Sequence, residues 1–370
     1  MKMKAISYKY LLLMPMLLFL TNSIWAQEKV SKKIDKTFPL TNAGELHLEN
    51  KYGNVTIQGW EKKTIQIDID IQVVKKKKED AKELLKRINP TINNTEDFVS
   101  ISSVIEEKNT SVISRFFNKE IFDKTSFFDF DKGNVQIDYT IYLPFNAEIN
   151  IINKFGDIII SEWNGKLKAN VQHGDIWINK DLNNASIEMK FGKLKTKSIT
   201  YGNIRFKNGE IDIESSNDLK INSSGTIIKI ENVESLEMHS SKDQVTIQRL
   251  GSIHGELMFS TMNIDTVHEN INLTTEVADI WISKIEKTNA NVTIDQESSE
   301  LSINVSGMSI DFSAALEQGL LRIPKSFTNI KTDVIDKRRK IREISASYGN
   351  SNLKGKFNIT GRKGVVILKE

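Results

Sequence analysis

Apolar and polar residues alternate with a period of two over most of the chain between residues 150 and 306. Alternation of this kind is typical of half-buried β-strands, and here Gly, Asn, Asp and Ser interrupt it at short intervals. The first apolar residue after each interruption recurs at a nearly constant interval: Ile158, Ile176, Leu194, Ile211, Ile228, Val245, Ile264, Ile280 and Leu301. The pattern predicts short strands that return to the same place once per repeat.

Two further apolar columns keep step with the first. The second contains Ile160, Ile178, Thr196, Ile213, Ile230, Ile247, Ile282 and Ile303, and the third, from the other half of the repeat, contains Leu167, Ala185, Leu219, Leu236 and Ile253. Three columns in register predict an all-β fold, a β-solenoid (β-helix) with about 18 residues per coil. A β-sandwich is the second interpretation, since its strands would follow no fixed period.

Glycines mark the corners of this repeat. We expect a left-handed backbone at these corners, which glycine tolerates: Gly156, Gly174, Gly192, Gly209 and Gly225. In later repeats, Asp243, Met262, Ala278 and Ser299 take the corner position.

One phrase occurs twice in the chain. "LENKYGNVTIQGW" at residues 48 to 60 returns as "IINKFGDIIISEW" at residues 151 to 163, so Asn50 matches Asn153 and Gly53 matches Gly156. The repetition predicts that residues 27–60 hold a linker and a first solenoid-like coil. Between the copies, the pattern predicts strands and one short helix around Asp80 to Ile88, which ends before Pro90.

The predicted organisation follows from these observations. Because an open solenoid end exposes strand edges, we interpret the insert as an N-terminal cap and the last strands as a C-terminal β cap. The segments are 1–26, a signal peptide; 27–60, linker and first coil; 61–143, the inserted strand and helix cap; 144–306, the β-solenoid; and 307–370, the C-terminal cap.

The first residues predict export. Lys2, Lys4 and Lys9 precede an apolar run from Tyr10 to Leu20 and a small, polar exit with a cleavage site after Ala26. The run is too short for a transmembrane anchor, which needs about 20 apolar residues. We expect the mature chain to lie in the periplasm or at the cell surface.

Charge and composition narrow the function classes. The chain has 51 basic and 48 acidic residues, and three of the basic ones lie in the signal peptide, so the mature chain is balanced. Nucleic-acid binding is disfavoured, because it usually requires a basic excess. The run Lys75 to Lys78 is interpreted as the solvated start of the helix. The chain contains no cysteine, which excludes disulfides, and we expect no cofactor.

The turns "KYGNV", "KFGDI" and "QHGDI", together with the signal peptide and the terminal "GVVIL" strand, resemble the bacterial putative-adhesin family of repetitive β-strand envelope proteins. The general pattern of short β-strand repeats that carries the resemblance extends over about residues 38 to 370. It implies a β-solenoid at the cell envelope, and it carries no catalytic residues to this chain.

Candidate chemistry is sparse. The five histidines show no metal-ligand spacing and are interpreted as structural or surface residues. Asp157 and Asp175 occupy the same turn position on adjacent coils, so their carboxylates are weak candidates for a metal or acid/base site. Lys193, next in that column, is able to neutralise them.

Two surfaces are candidates for binding. "DIWI" occurs twice, and alternation turns Trp177 and Trp281 outward on one face, about 29 Å apart at ~4.8 Å per coil. The column between them reads Lys195, Asp212, Lys229, Thr246 and Asp265, which predicts a charged strip with an aromatic residue near each end. The second surface is a Phe-rich stretch that either covers the solenoid end or contacts a partner, with Phe116, Phe117, Phe127 and Phe128 as its candidate residues.

Three functions remain open at this point. The first is a non-catalytic, adhesin-like envelope module that binds a glycan or an envelope protein. The second is a structural or regulatory periplasmic component without a ligand, and the third is a β-helix carbohydrate-active enzyme. Oligomeric state does not follow from the sequence.

Overall fold

A computed structural model describes residues 27–103 and 134–370. The described residues belong to two compact units. The first contains residues 27–32, 71–88 and 134–136, and the second contains residues 33–70, 89–103 and 137–370.

The described residues form one helix and many strands, which confirms the all-β class. The helix is α1 (Lys78–Arg87). The strands up to residue 172 are β1 (Glu28–Pro39), β2 (Glu45–Tyr52), β3 (Val55–Trp60), β4 (Thr64–Lys75), β5 (Thr91–Thr95), β6 (Phe98–Ser102), β7 (Val135–Pro144), β8 (Glu148–Phe155), β9 (Ile158–Ser161) and β10 (Lys166–Gln172). The later strands are β11 (Ile176–Ser241), β12 (Gln244–Met258), β13 (Thr261–Val267), β14 (Ile271–Glu276), β15 (Asp279–Ile282), β16 (Val292–Glu297), β17 (Glu300–Asn304), β18 (Ile310–Glu317), β19 (Leu320–Arg322), β20 (Thr328–Asp336), β21 (Ile341–Tyr348), β22 (Gly355–Arg362) and β23 (Val365–Lys369).

Strands of the second unit pair in parallel at the length of the sequence repeat. Leu167 of β10 lies beside Ala185 of β11, and Leu236 of β11 lies beside Ile253 of β12, each pair one repeat apart. The pairs β13 with β15 and β15 with β17 continue the ladder. This in-register parallel pairing is what a β-solenoid requires, because each repeat hydrogen-bonds to the next one.

The predicted columns form the core. Ile158, Ile176, Leu194 and Ile228 are all fully buried, and alternate residues of the same strands are more exposed. One assignment is wrong: Met262, not Ile264, lies beside Val245 in the first column, and Ile264 lies beside Ile247 in the second. Met262 is therefore a core residue rather than a corner residue.

The corners differ from the predicted ones in three coils. Gly156 and Gly225 have positive φ, of 150° and 66°, as expected. In the coils of Gly174, Gly192 and Gly209, however, the left-handed residue is the one before the glycine, and the same position is left-handed in later coils: His173, Phe191, Asn208, Lys242, Phe259, Val277 and Ser298.

Those three glycines are needed for a different reason, the close approach of neighbouring coils. A Cβ atom on Gly174 would lie 2.0 Å from the carbonyl oxygen of Gly156, and one on Gly192 would lie 2.1 Å from that of Gly174. The prediction of positive φ is therefore wrong for Gly174, Gly192 and Gly209, where the missing side chain matters and the backbone angle does not.

The repeated phrase forms neighbouring coils. Val55 of β3 lies beside Ile158 of β9, and β2 pairs with β8 at the same sequence separation. The side-chain amide of Asn153 donates to the carbonyl groups of Gly156 (2.8 Å) and Gly53 (3.2 Å), and Asn50 donates to Gly53 (3.1 Å). The Asn and Gly of the phrase recur because each buried amide satisfies corner carbonyl groups.

Part of the insert adds a further layer to these coils. On the side away from β8 and β9, β6 pairs in parallel with β2, and β7 pairs in parallel with β3. Tyr139 of β7 is buried, and its hydroxyl shares a short hydrogen bond with that of Ser103.

The C-terminal strands do not stack in chain order. Strand β22 lies between β16 and β18 and is parallel to both, so Val292 lies beside Phe357, a residue from a distant part of the chain. Strand β23 lies between β17 and β19 in the same way. Strands β20 and β21 form an antiparallel hairpin, and β21 pairs with the remaining edge of β18.

A polar network is buried at one corner of the coils. The carboxylate of Asp243 accepts hydrogen bonds from the hydroxyls of Ser223 (2.6 Å) and Ser240 (2.7 Å) and from the backbone N–H of Thr226 (2.7 Å). Asp243 is 2% exposed, so these bonds replace the water that the carboxylate loses on folding.

In the first unit, α1 buries Ala81 and Leu84, which are three positions apart and so share one helix face. Acidic residues in its first turn and basic residues in its last turn suit the helix dipole. No helix in the described ranges is long and apolar enough to cross a membrane.

Candidate functional site

An open groove crosses several coils of the second unit. Its volume is about 1000 Å³. It crosses β11 and β12 and reaches the segment between β13 and β14, and Ser216 and Val233 are buried in its floor. The lining is mostly polar: Tyr201, Ser215, Ser216, Asn217, Asp218, Asn232, Val233, Glu234, Ser235, Arg249, Gly251, Ser252, His268 and Glu269.

The repeat sets the length of the groove. Ser235 lies beside Ser252, and the same column contains Tyr201, Asp218 and Glu269, each a whole number of repeats away. Four steps of ~4.8 Å give a length of about 19 Å. Small residues at the middle of the groove leave space that larger side chains would fill.

Some lining side chains are held by bonds between coils. Ser252 donates to a carboxylate oxygen of Glu269 (3.2 Å), and His268 lies 2.7 Å from Glu286. The Nε of Arg249 donates to the side-chain oxygen of Asn232. These contacts fix part of the lining before any ligand arrives.

Other lining groups remain available to a ligand. Within the described parts of the chain, Asp218 and Glu234 have no ion-pair partner, and both are exposed. Tyr201 is 56% exposed at one end of the groove. The groove thus combines an aromatic ring with unpaired hydrogen-bond acceptors.

The outward column between Trp177 and Trp281 differs from the predicted one at one residue. Trp177 and Trp281 are half-buried between buried isoleucines. Thr246 lies beside Asn263, and Asn263 lies beside Trp281, so Asn263 rather than Asp265 stands in this column.

The charged strip between the two tryptophans is internally neutralised. Lys195 lies 3.7 Å from Asp212, while Lys229 and Lys193 each lie 3.2 Å from Glu210. The hydrogen bond from Lys229, assisted by Lys193, holds the pKa of Glu210 below its ordinary value. Lys195, Asp212 and Lys229 therefore already have partners on the protein.

Asp157 and Asp175 are adjacent, as expected, and each one supports the neighbouring coil. A side-chain oxygen of Asp157 accepts the backbone N–H of Asp175, and one of Asp175 accepts the backbone N–H of Lys193, both at 2.8 Å. Asn54 bonds Asp157 in the same manner (2.9 Å). No cluster of three or more metal-ligating side chains occurs in the ranges that the structure describes.

Two histidines from successive repeats lie beside the same carboxylate. His239 and His254, on adjacent coils, lie 3.3 and 3.8 Å from the carboxylate of Glu237. A hydrogen bond from Lys220 is the main cause that lowers the pKa of Glu237, and His239 adds to it.

The second predicted surface, the Phe-rich stretch with Phe116, Phe117, Phe127 and Phe128, lies outside the described residues.

The chain is similar to solved structures that are described as adhesins. One is a putative cell adhesion protein from Clostridium sporogenes, 13% identical, with a TM-score of 0.20, covering 92% of this chain and 99% of that chain. Another is a putative adhesin from Bacteroides fragilis, 11% identical, with a TM-score of 0.24, covering 91% of this chain and 96% of that chain.

No family model and no curated protein matches the chain. The identities and TM-scores of the two structures are too low to transfer a function.

The groove is the feature that sequence reasoning missed. Tyr201, Asp218 and Glu234 belong to different repeats and to no motif. The repeat length itself was the available signal, since it places one residue of each repeat in a common outward column.

Proposed function

We propose that the chain is an exported, non-catalytic, adhesin-like binding module whose ligand is a glycan. The observation that supports this proposal is the open polar groove with Tyr201 at one end. Ligand sites are usually concave and contain a few convergent polar groups, and the groove has both properties. A coil that served only a structural role would not require a concave surface.

The chemistry of the lining suits a chain of sugars. Asn217, Asp218 and Glu234 offer amide and carboxylate groups to hydroxyls, and an exposed tyrosine ring provides an apolar surface with a polar tip. Because the groups repeat at the coil spacing, an extended polymer can make similar contacts at successive coils. An open groove also permits the ligand to continue beyond both ends.

The proposal is tested by measuring the binding of isolated cell-surface polysaccharides to the protein and its variants. Tyr201→Ala removes the exposed ring, and we expect about two- to tenfold weaker binding, in line with the ~0.5–1.5 kcal/mol of an aromatic contact. Glu234→Gln removes one unpaired charge and should also weaken binding. Both residues are exposed, so the free energy of unfolding should change by less than about 0.5 kcal/mol.

Ile227→Ala is the matched control, because Ile227 is 45% exposed and lies outside the groove lining. It should bind like the wild type. Trp177→Ala and Trp281→Ala test the other candidate face in the same assay. If Tyr201→Ala and Glu234→Gln bind normally while the Trp variants do not, the groove proposal is wrong and the Trp face holds the ligand.

A further inference from the structure

The C-terminal hairpin of β20 and β21 presents an exposed surface with unusual charge. Strand β20 is exposed along almost its whole length. Between Lys331 and Arg342, the hairpin contains six basic and two acidic residues, a net charge of +4 in a chain whose total is +3. The basic residues concentrate in "DKRRKIR", residues 336 to 342.

The hairpin turn holds these charges in place. A carboxylate oxygen of Asp336 accepts the backbone N–H groups of Arg338 (2.8 Å) and Arg339 (2.9 Å), which closes the turn. Lys340 completes it with a left-handed backbone, at φ 57°. The turn therefore fixes the backbone that carries the basic side chains without using their charges.

Most of these charges are available to a partner. Arg339 pairs with Glu317 (2.8 Å), and Arg342 donates to the carbonyl of Gly319 (2.9 Å). Among the described residues, Lys337, Arg338 and Lys340 have no acidic partner.

Exposed aliphatic side chains lie in the same region of the chain. Leu320, Ile330, Val334 and Ile335 are between 52% and 57% exposed, and among the large apolar residues of the described ranges only Leu353 is more exposed than Ile335. Leu320 and Val334 line an open depression of about 600 Å³ together with Lys337, Lys340 and Arg342. Apolar and cationic groups therefore face the same space.

We propose that this hairpin docks the protein on an anionic phospholipid surface. Lys337, Arg338 and Lys340 would contact the lipid phosphates, and Val334 and Ile335 would enter the boundary between headgroups and acyl chains. Basic residues attract an anionic leaflet, and adjacent apolar residues add burial in its interface. A soluble anion would use the charges but would leave the four aliphatic side chains in water. This surface is separate from the glycan groove, so either proposal can fail without the other.

The test is co-sedimentation of the mature chain, which is predicted to begin at Gln27, with vesicles. One set contains about one-third phosphatidylglycerol in phosphatidylcholine, and the other contains phosphatidylcholine alone. We expect binding to the anionic vesicles only, and weaker binding as salt is raised. The triple variant Lys337→Gln, Arg338→Gln and Lys340→Gln should bind about a hundredfold less tightly, at about fivefold for each basic residue.

A second variant separates lipid from other anions. Val334→Ser with Ile335→Ser keeps every charge and should still weaken vesicle binding at least fivefold. The matched control for charge is the triple variant Lys197→Gln, Arg205→Gln and Lys207→Gln, which changes three exposed basic residues on the coils. This control variant should bind the anionic vesicles within about threefold of the wild type.

Three results would overturn the proposal. The first is equal loss of binding in the hairpin triple variant and the control triple variant. The second is equal binding of the wild type to both kinds of vesicle. The third is full vesicle binding by the Val334 and Ile335 variant, with dextran sulfate competing as well as lipid does, which would assign the surface to a soluble polyanion.

Discussion

Replacement of Gly174 tests whether this glycine is needed for the close approach of neighbouring coils rather than for a positive φ. A Cβ at this position would lie 2.0 Å from the carbonyl oxygen of Gly156 and 2.7 Å from its carbonyl carbon. Ordinary contact is about 3.4 Å, so the neighbouring coil would have to move by about 1.4 Å. The contacting atoms belong to the backbone, and no rotamer change can relieve the overlap.

The cost follows from what holds the coils together there. The backbone N–H of Ile158 donates to the carbonyl oxygen of Asp175, and the backbone N–H of Asp175 donates to a side-chain oxygen of Asp157, both at 2.8 Å. A shift of this size therefore weakens these two hydrogen bonds between the clashing coils. At about 1 kcal/mol each, with a further ~1–3 kcal/mol for overpacking, Gly174→Ala should lower the free energy of unfolding by about 3–5 kcal/mol. Urea unfolding followed by circular dichroism measures the change.

Gly307→Ala is the control, because Gly307 has φ of 78° and no atom within 4 Å of a Cβ. It should cost only about 1 kcal/mol, the penalty of a left-handed backbone. Asparagine tolerates that conformation, so Gly307→Asn should cost less than Gly307→Ala, whereas Gly174→Asn should be at least as harmful as Gly174→Ala. If Asn restores stability at position 174, backbone conformation matters there and the close-approach explanation is refuted.

Three further predictions concern the interior. Burial raises the pKa of Tyr139 to about 12, against the opposing hydrogen bond of Ser103. The tyrosine of the unfolded chain therefore ionises first, and the free energy of unfolding should fall by up to about 3 kcal/mol between about pH 10 and pH 12. Tyr139→Phe should remove that part of the pH dependence of urea unfolding, and an unchanged slope would contradict it. Asp243→Ala leaves buried donors without an acceptor and should lower the unfolding free energy by about 3 kcal/mol or more, with loss below about 1 kcal/mol as the contrary result. Ile228→Lys places an unpaired charge in the core and should cost several kcal/mol, whereas Lys229→Gln should cost little; similar unfolding midpoints for the two variants would disprove the inward column.

The alternation of apolar and polar residues correctly predicted which side chains of a strand are buried, wherever neighbouring residues alone determine that. Ile158, Ile176 and Ile228 alternate with polar residues, so their burial follows from the period of a strand. It failed at Met262, because Met262 and Ile264 are both apolar and either one satisfies the alternation. Only the pairing with Val245 distinguishes them.

The glycines at the corners also show that a local sequence pattern can be compatible with two different structural causes. A glycine in a turn is compatible with positive φ and also with close approach, and the sequence pattern of Gly174 does not separate these causes. The neighbouring coil decides, since the carbonyl of Gly156 occupies the place of the missing side chain.

The candidate surfaces depended almost wholly on tertiary structure. Tyr201, Asp218 and Glu234 line one groove because coils stack, and His239 and His254 both lie beside Glu237 for the same reason. The basic run at residues 336 to 342 was not among the surfaces predicted from the sequence, and its significance depends on the exposed aliphatic residues beside it.

The sequence by itself determined the period, the inward columns and the relation between the two copies of the repeated phrase, because each of these arises from alternation along one strand. Tertiary structure alone decided that β22 lies between β16 and β18, far along the chain from its partner in β16. Strand pairing depends on which strand edges the rest of the fold leaves free, and no local sequence pattern contains that information.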